Sequence, residues 1–231
     1  MSRSYRSTAV LLLLAAAVCL AVPAGAAAEA GSRTVYLIRH GEYDHDHTQD
    51  EDTGRGLVDL GRRQAEVLAD RLAEMPLEFT SLQSSTMTRA RQTADIIGER
   101  LGLVPDRHRD IRECTPPTWR EDIMAELEEG DGEPCAELLE AAFARIFVPA
   151  VDETARDLVV CHGNVIRWFV CRVLNVDPMA WLGMSIANCS VTVVRVAPDG
   201  KLKLLSFADT GHLTPDMTVF PGNWRPYAES R

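Results

Sequence analysis

Apolar residues along the chain follow two alternating periods. Thr34–Arg39 (TVYLIR) is a β-rich, mostly apolar run, the pattern of a strand covered on both faces. Gly61–Met75 then carries Ala65, Leu68, Leu72 and Met75 at helical spacing. Thr88–Leu101 does the same with Ala90, Ala94, Ile97 and Leu101, and Gly102 supplies a stop. Phe79–Gln83 and Asp157–Cys161 (DLVVC) predict further strands, and Ala136–Val148 and Val165–Leu174 further helices. Val191–Val196 and Leu202–Phe207 flank Pro198-Asp199-Gly200, a hairpin signal. Tyr43–Gly56 and Arg107–Gly132 read as irregular connections, rich in acidic residues. Strands alternating with helices predict one α/β domain over residues 33–210: a three-layer sandwich with a central, mostly parallel sheet flanked by helices. Residues 211–231 hold three prolines and read as a tail laid on the surface.

Composition narrows the function classes. The 231 residues are 46% hydrophobic and 25% charged, ordinary for a globular protein and unlike disordered or disulfide-dense chains. Lys and Arg number 24 against 34 Asp and Glu, a formal charge of −10, so no nucleic-acid partner is expected. At the N-terminus, Arg3 and Arg6 precede the apolar run Ala9–Val22, and Ala24-Gly25-Ala26 offers a small-residue cleavage pattern. Residues 1–26 therefore read as a secretory signal peptide, with the mature chain exported to a periplasmic or secreted location. If retained, the segment would be an anchor and the one source of membrane association. The apolar run is short for a bilayer span, which takes about 20 residues. Of six cysteines, five follow this segment, so at least one stays free, and the pairing is left open by the sequence. Cys161 and Cys171 lie in apolar stretches and read as buried thiols.

Three short segments carry candidate chemistry. Arg39-His40-Gly41-Glu42 closes the first strand, where ligands of open α/β sheets bind. An arginine beside a histidine there sets a fixed cation next to a nitrogen nucleophile or base. Gly41 would let the backbone approach a ligand. Ser84-Ser85-Thr86-Met87-Thr88-Arg89 leads from a strand into a helix N-terminus, which attracts anions. Arg91 falls about 200° around that helix from Arg89 and reads as a solvated side chain. Cys161-His162-Gly163-Asn164-Val165-Ile166-Arg167 repeats the strand–His–Gly–helix layout. Two strand-end histidines and two arginines suit a tetrahedral dianion, because guanidinium matches phosphate with paired donors.

These segments, taken in order, resemble the histidine phosphatase (phosphoglycerate mutase-like) superfamily. More narrowly, Ser84–Ala90, Ile111-Arg112-Glu113, Cys161–Arg167 and Ala208-Asp209-Thr210-Gly211 are similar to its mitochondrial serine/threonine protein phosphatase branch. The resemblance implies a phosphatase that hydrolyses phosphomonoesters through a phosphohistidine intermediate, without metal or cofactor. His40 would be the nucleophile. Arg39, Arg89 and His162 would hold the phosphoryl oxygens, and Glu113 would protonate the leaving oxygen. The partner is then a phosphorylated substrate, with phosphoserine and phosphothreonine proteins as one class and small phosphomonoesters, or a mutase reaction, as the alternative. Oligomeric state is left open.

Three rival readings stand beside it. Cys161 and Arg167 have the spacing of a cysteine-dependent phosphatase loop, although its single glycine and the apolar Val165-Ile166 fit poorly. Asp44, His45, Asp46 and His47 are metal-ligand types without evident partner ligands elsewhere. A third reading is a non-catalytic phosphate- or phosphopeptide-binding module.

Overall fold

The computed structural model describes residues 30–223 apart from Glu51, Glu128, Glu129, Asp131 and Asp152. The proposed leader therefore lies outside the described residues. The strands are β1 (Arg33–Arg39), β2 (Ser81–Ser85), β3 (Asp106–His108), β4 (Ala155–Cys161), β5 (Val191–Val196) and β6 (Leu202–Asp209). The helices are α1 (Asp59–Glu74), α2 (Thr88–Leu101), the single turn α3 (Glu121–Met124), α4 (Gly132–Ile146) and α5 (Gly163–Leu174). One six-stranded sheet runs in the order β3-β2-β4-β1-β5-β6. Pairings among β3, β2, β4 and β1 are parallel, and β5 and β6 add an antiparallel hairpin at one edge. The expected α/β sandwich is thus present, with a mixed sheet.

The two-residue period of β1 explains the layering. Val35 and Leu37 face one side, where they meet Leu139 of α4 and Ile166 and Phe169 of α5. Tyr36 and Ile38 face the other, against Ala65 and Leu68 of α1 and Ala90, Ala94 and Ile97 of α2. Central strands buried on both faces read as continuous apolar runs, which is why TVYLIR and DLVVC stand out in the sequence. Gly102 ends α2 in the left-handed region, at φ 70°, which glycine adopts without steric cost. Gly200 turns the β5–β6 hairpin at φ 80°.

Three details differ from the sequence reading. β2 runs two residues further than expected, through Ser84 and Ser85. Residues 106–111 of the irregular connection form β3 and a 3-10 turn. The described part of the tail, residues 211–223, is anchored at Val219, which is fully buried and whose carbonyl accepts from the Asn188 N–H. A Cys114–Cys135 disulfide pins the connection after β3 to α4, while Cys161, Cys171 and Cys189 are free and buried.

Register is what positions the site. In the parallel β1–β4 pair, Arg39 stands opposite Cys161. The next residues, His40 and His162, therefore leave the sheet side by side, and the His40 N–H still bonds the Cys161 carbonyl at 3.1 Å. Gly41 serves a different purpose from the one its position suggests. A Cβ there would sit 2.5 Å from the Gly61 carbonyl, so its missing side chain admits the first turn of α1 rather than a ligand. Gly61 returns the constraint, because its Cβ would lie 1.8 Å from the Glu42 carbonyl. Gly61→Ala is expected to destabilise the fold by a few kcal/mol, and to lower turnover by displacing the His40 loop. A denaturant midpoint and turnover equal to wild type would contradict this.

Candidate active site

Four sequence-selected residues converge where β1, β2 and β4 end. His40, His162, Arg89 and Arg39 are at most 8% exposed, and the two imidazole centroids lie 5.0 Å apart. Arg89, at the start of α2, donates through Nε to His40 Nε2 at 3.2 Å. Arg39 anchors one Nη on the Ile186 carbonyl at 2.7 Å, while its Nε is buried without a hydrogen-bond partner. Glu113 reaches the same place from the connection after β3. Its Oε2 lies 3.6 Å from His162 Nδ1, and its Oε1 accepts the Asn164 N–H at the α5 N-terminus at 3.0 Å.

A hydrogen bond assigns the His40 tautomer. His40 Nδ1 lies 2.8 Å from the Gly41 carbonyl, which can only accept, so Nδ1 carries the proton. Nε2 keeps its lone pair and accepts from Arg89. For His162, the Ser85 hydroxyl accepts the Met87 N–H and stands 2.8 Å from Nε2. A hydroxyl both donates and accepts, so this contact admits either tautomer; with Ser85 donating to Nε2, the proton sits on Nδ1, toward Glu113 Oε2. That Nδ1 is buried without a hydrogen-bond partner, in the pocket shared with His40.

The charges explain why neutral imidazoles persist. Burial holds His40 well below the ordinary imidazole range, and His162, Arg89 and Arg39 press in the same direction. His162 is lowered by burial first, then by Arg89, Arg39 and Arg112. Glu113 is raised by burial, against the opposing pull of Arg89, the Asn164 N–H, Arg39 and Arg167. A proton-ready carboxyl, a lone-pair nitrogen and fixed cations therefore share one small site. His40, Glu113 and His162 also present ligand atoms within 4.8 Å of one another, the spacing of a metal set. The guanidiniums beside them favour an anion over a cation.

Comparison with known proteins identifies the family. The model of the histidine phosphatase superfamily (branch 1) matches residues 35–210. The chain belongs to that superfamily. It is 40% identical over 201 residues to the serine/threonine-protein phosphatase Pgam5, mitochondrial, of Caenorhabditis briggsae, covering 82% of this chain and 67% of the relative. It is 36% identical over 197 residues to the Homo sapiens PGAM5, covering 80% and 65%. The chain thus spans about two thirds of the length of these relatives. In fold it is similar to the α-ribazole phosphatase of Shigella flexneri, with a TM-score of 0.61, 18% identity and coverage of 76% and 96%.

These relatives correct one expectation. Those matched by sequence are named as mitochondrial, which overturns the expectation of export by a signal peptide. The physical reason lies in the leader. A basic start, early serines and the lack of an acid before Glu29 are features that secretory and import leaders share, so they do not fix a destination. Among the described residues, no helix is long and apolar enough to cross a membrane.

Within this superfamily pocket, the rival readings lose ground. The Cys161 side chain is fully buried in the α4–α5 core, and burial pushes its thiol well above the ordinary range, the reverse of a reactive cysteine. Asp44, Asp46 and Asp50 spend their carboxylates on the segment's own turns, and Asp52 pairs with Arg112. Asp46 accepts from Thr48, and Asp50 from Asp52 and Thr53. His45 bonds Glu42 at 2.7 Å. Arg91, read as solvated, donates instead to the Asp52 carbonyl and braces this loop.

Two contributors escaped the sequence reading. Ser85 holds the His162 ring through Nε2, as described above. Tyr43 lies edge-on to His40 at 5.1 Å and 4.5 Å from the Arg89 guanidinium, which holds that cation in place. An aromatic three residues past the histidine was the available signal.

His40→Ala is expected to abolish phosphatase turnover, and Cys161→Ser to retain most of it; the reverse pattern would establish a cysteine nucleophile. Glu113 stays protonated to higher pH than an ordinary carboxyl, while His40 stays neutral to lower pH than an ordinary imidazole. Turnover of an alkyl phosphomonoester should thus persist on the acid side of neutrality and fall as pH rises through the raised Glu113 value. Glu113→Gln should flatten that alkaline limb, and an unchanged limb in the variant would remove Glu113 from the role.

Proposed function

We propose that residues 33–210 form a phosphatase domain that hydrolyses phosphomonoesters through a phosphohistidine at His40. The observation that carries this reading is the His40 Nε2 lone pair, held by Arg89 and facing His162 inside a buried cationic pocket. His40 Nε2 attacks phosphorus in line as the bond to the leaving oxygen breaks. Covalent catalysis of this kind splits one difficult step into two. Arg39, Arg89 and His162 Nδ1–H bind the non-bridging oxygens and stabilise the charge that spreads over them. Glu113 gives its proton to the leaving alkoxide. It then takes a proton from the water that attacks the phosphohistidine, returning His40 to its starting state. General acid catalysis of this kind contributes about 10²–10⁴-fold.

For substrate class, phosphoserine and phosphothreonine in proteins are the favoured reading. The support is the relatives' own naming as serine/threonine-protein phosphatases. The loops that follow His40 and Glu113 are acidic, with Asp44, Asp46 and Asp50 on one and Glu121 and Glu126 on the other, beside the Asp52–Arg112 and Asp122–Arg120 pairs, which favours basic residues flanking the phosphate. Small phosphomonoesters are the second reading, supported by the α-ribazole phosphatase likeness in fold.

The test is a turnover screen on purified protein, with phosphoserine and phosphothreonine peptides carrying basic or acidic flanks, beside small phosphorylated metabolites. Faster release from basic-flanked peptides is expected. Equal rates on both flanks would remove the electrostatic part, and selective turnover of metabolites would transfer the assignment to the second reading. Phosphate binding without turnover would identify a binding module instead.

A further inference from the structure

Arg167 is a buried arginine that the reaction above does not use. It lies on the second turn of α5, 8% exposed, with Nε buried and lacking a hydrogen-bond partner. Burying a guanidinium is costly unless it is paired, so its place calls for an explanation. Its bonds all lead toward the segment that carries Glu113. Arg167 Nη1 donates to Asn164 Oδ1 at 3.1 Å. Asn164 in turn donates Nδ2 to the Cys114 carbonyl at 2.9 Å and its backbone N–H to Glu113 Oε1 at 3.0 Å. The guanidinium also lies 5.8 Å from the Trp181 ring, and Trp181 Nε1 donates to the Pro117 carbonyl at 3.0 Å. Residues 113, 114 and 117 are thus tied to α5 and to the Trp181 turn by two chains of contacts that meet at Arg167.

We propose that Arg167 is a positioning residue for the proton donor: through Asn164 and Trp181 it latches the Glu113 segment onto the N-terminus of α5, over the leaving-group side of the pocket. The inference rests on the phosphohistidine reading and extends it. Arg39 and Arg89 stand beside the histidines, whereas Arg167 reaches the chemistry only through Asn164 and the charge it shares with Glu113. Loosening the latch should therefore harm the step that needs a proton and spare the step that does not. A good leaving group departs without a proton, whereas a serine alkoxide requires one.

The experiment compares kcat/KM, which reports phosphoryl transfer to His40 and not the later hydrolysis both substrates share, for p-nitrophenyl phosphate and for a phosphoserine peptide in wild type, Arg167→Met, Arg167→Lys, Asn164→Ala, Glu113→Gln and His40→Ala. Arg167→Met and Asn164→Ala are expected to lower the alkyl-to-aryl kcat/KM ratio about tenfold or more, approaching the roughly 10²–10⁴-fold limit set by Glu113→Gln. Arg167→Lys, which keeps the charge but loses the planar fork, should fall between. Asn164 is only partly buried, so its variant reports on the latch even if Arg167→Met fails to fold. An equal fall on both substrates, or a ratio unchanged in both variants, would overturn the latch. Loss of both activities in His40→Ala shows that the underlying reading stands whichever way the ratio moves. A wild-type protein inactive on both substrates would overturn that reading, and the latch with it.

Discussion

The site depends on the parallel register of β1 and β4. Arg39 opposite Cys161 makes the residue after each strand emerge at the same level of the sheet edge, and both of those residues are histidine. A slip of one residue would turn the side chains of a strand to the opposite face. His40 and His162 would then part, and the apolar faces of β1 would meet the wrong helices. Stability and chemistry are therefore fixed by one choice of pairing. The same apolar side chains that bury β1 on both faces hold the two imidazoles 5.0 Å apart.

Burial then sets the protonation states that the chemistry needs. Cations and low polarity both disfavour protonated imidazole, so His40 keeps its lone pair. Low polarity alone raises Glu113, and the arginines limit that rise. One environment thus pushes a base and an acid toward their working forms, because they carry opposite charge when ionised. Hydrogen bonds complete the arrangement. The Gly41 carbonyl fixes the proton on His40 Nδ1 and the Ser85 hydroxyl orients the His162 ring, and neither depends on a charged side chain.

Much of the fold was legible because central strands and amphipathic helices are written in local periodicity. The strand–His–Gly layout at residues 39–41 and 161–163 named the pocket's principal residues. Where the reading failed, the signal was not local. Ser84 and Ser85 have little strand character, yet they extend β2 because they pair with Arg107 and His108 of β3, a case of tertiary pairing overriding propensity. Gly41 looked like a ligand-facing glycine, and only the approach of Gly61 shows otherwise. Pairing of Cys114 with Cys135 could not be chosen among five cysteines. Arg167 was noticed as part of a spacing, but its bonds to Asn164 and toward Trp181 exist only once α5 and the connection after β3 are folded together.

The central claim is that His40 Nε2 accepts the phosphoryl group. Rapid quenching of the protein with a labelled aryl phosphate, followed by peptide mapping under alkaline conditions that preserve phosphohistidine, measures this directly. The account expects acid-labile label on the peptide containing His40, absent from His40→Ala and accumulating in no other peptide. Label on the His162 or Cys161 peptide, or turnover with no trapped intermediate in wild type, would contradict it.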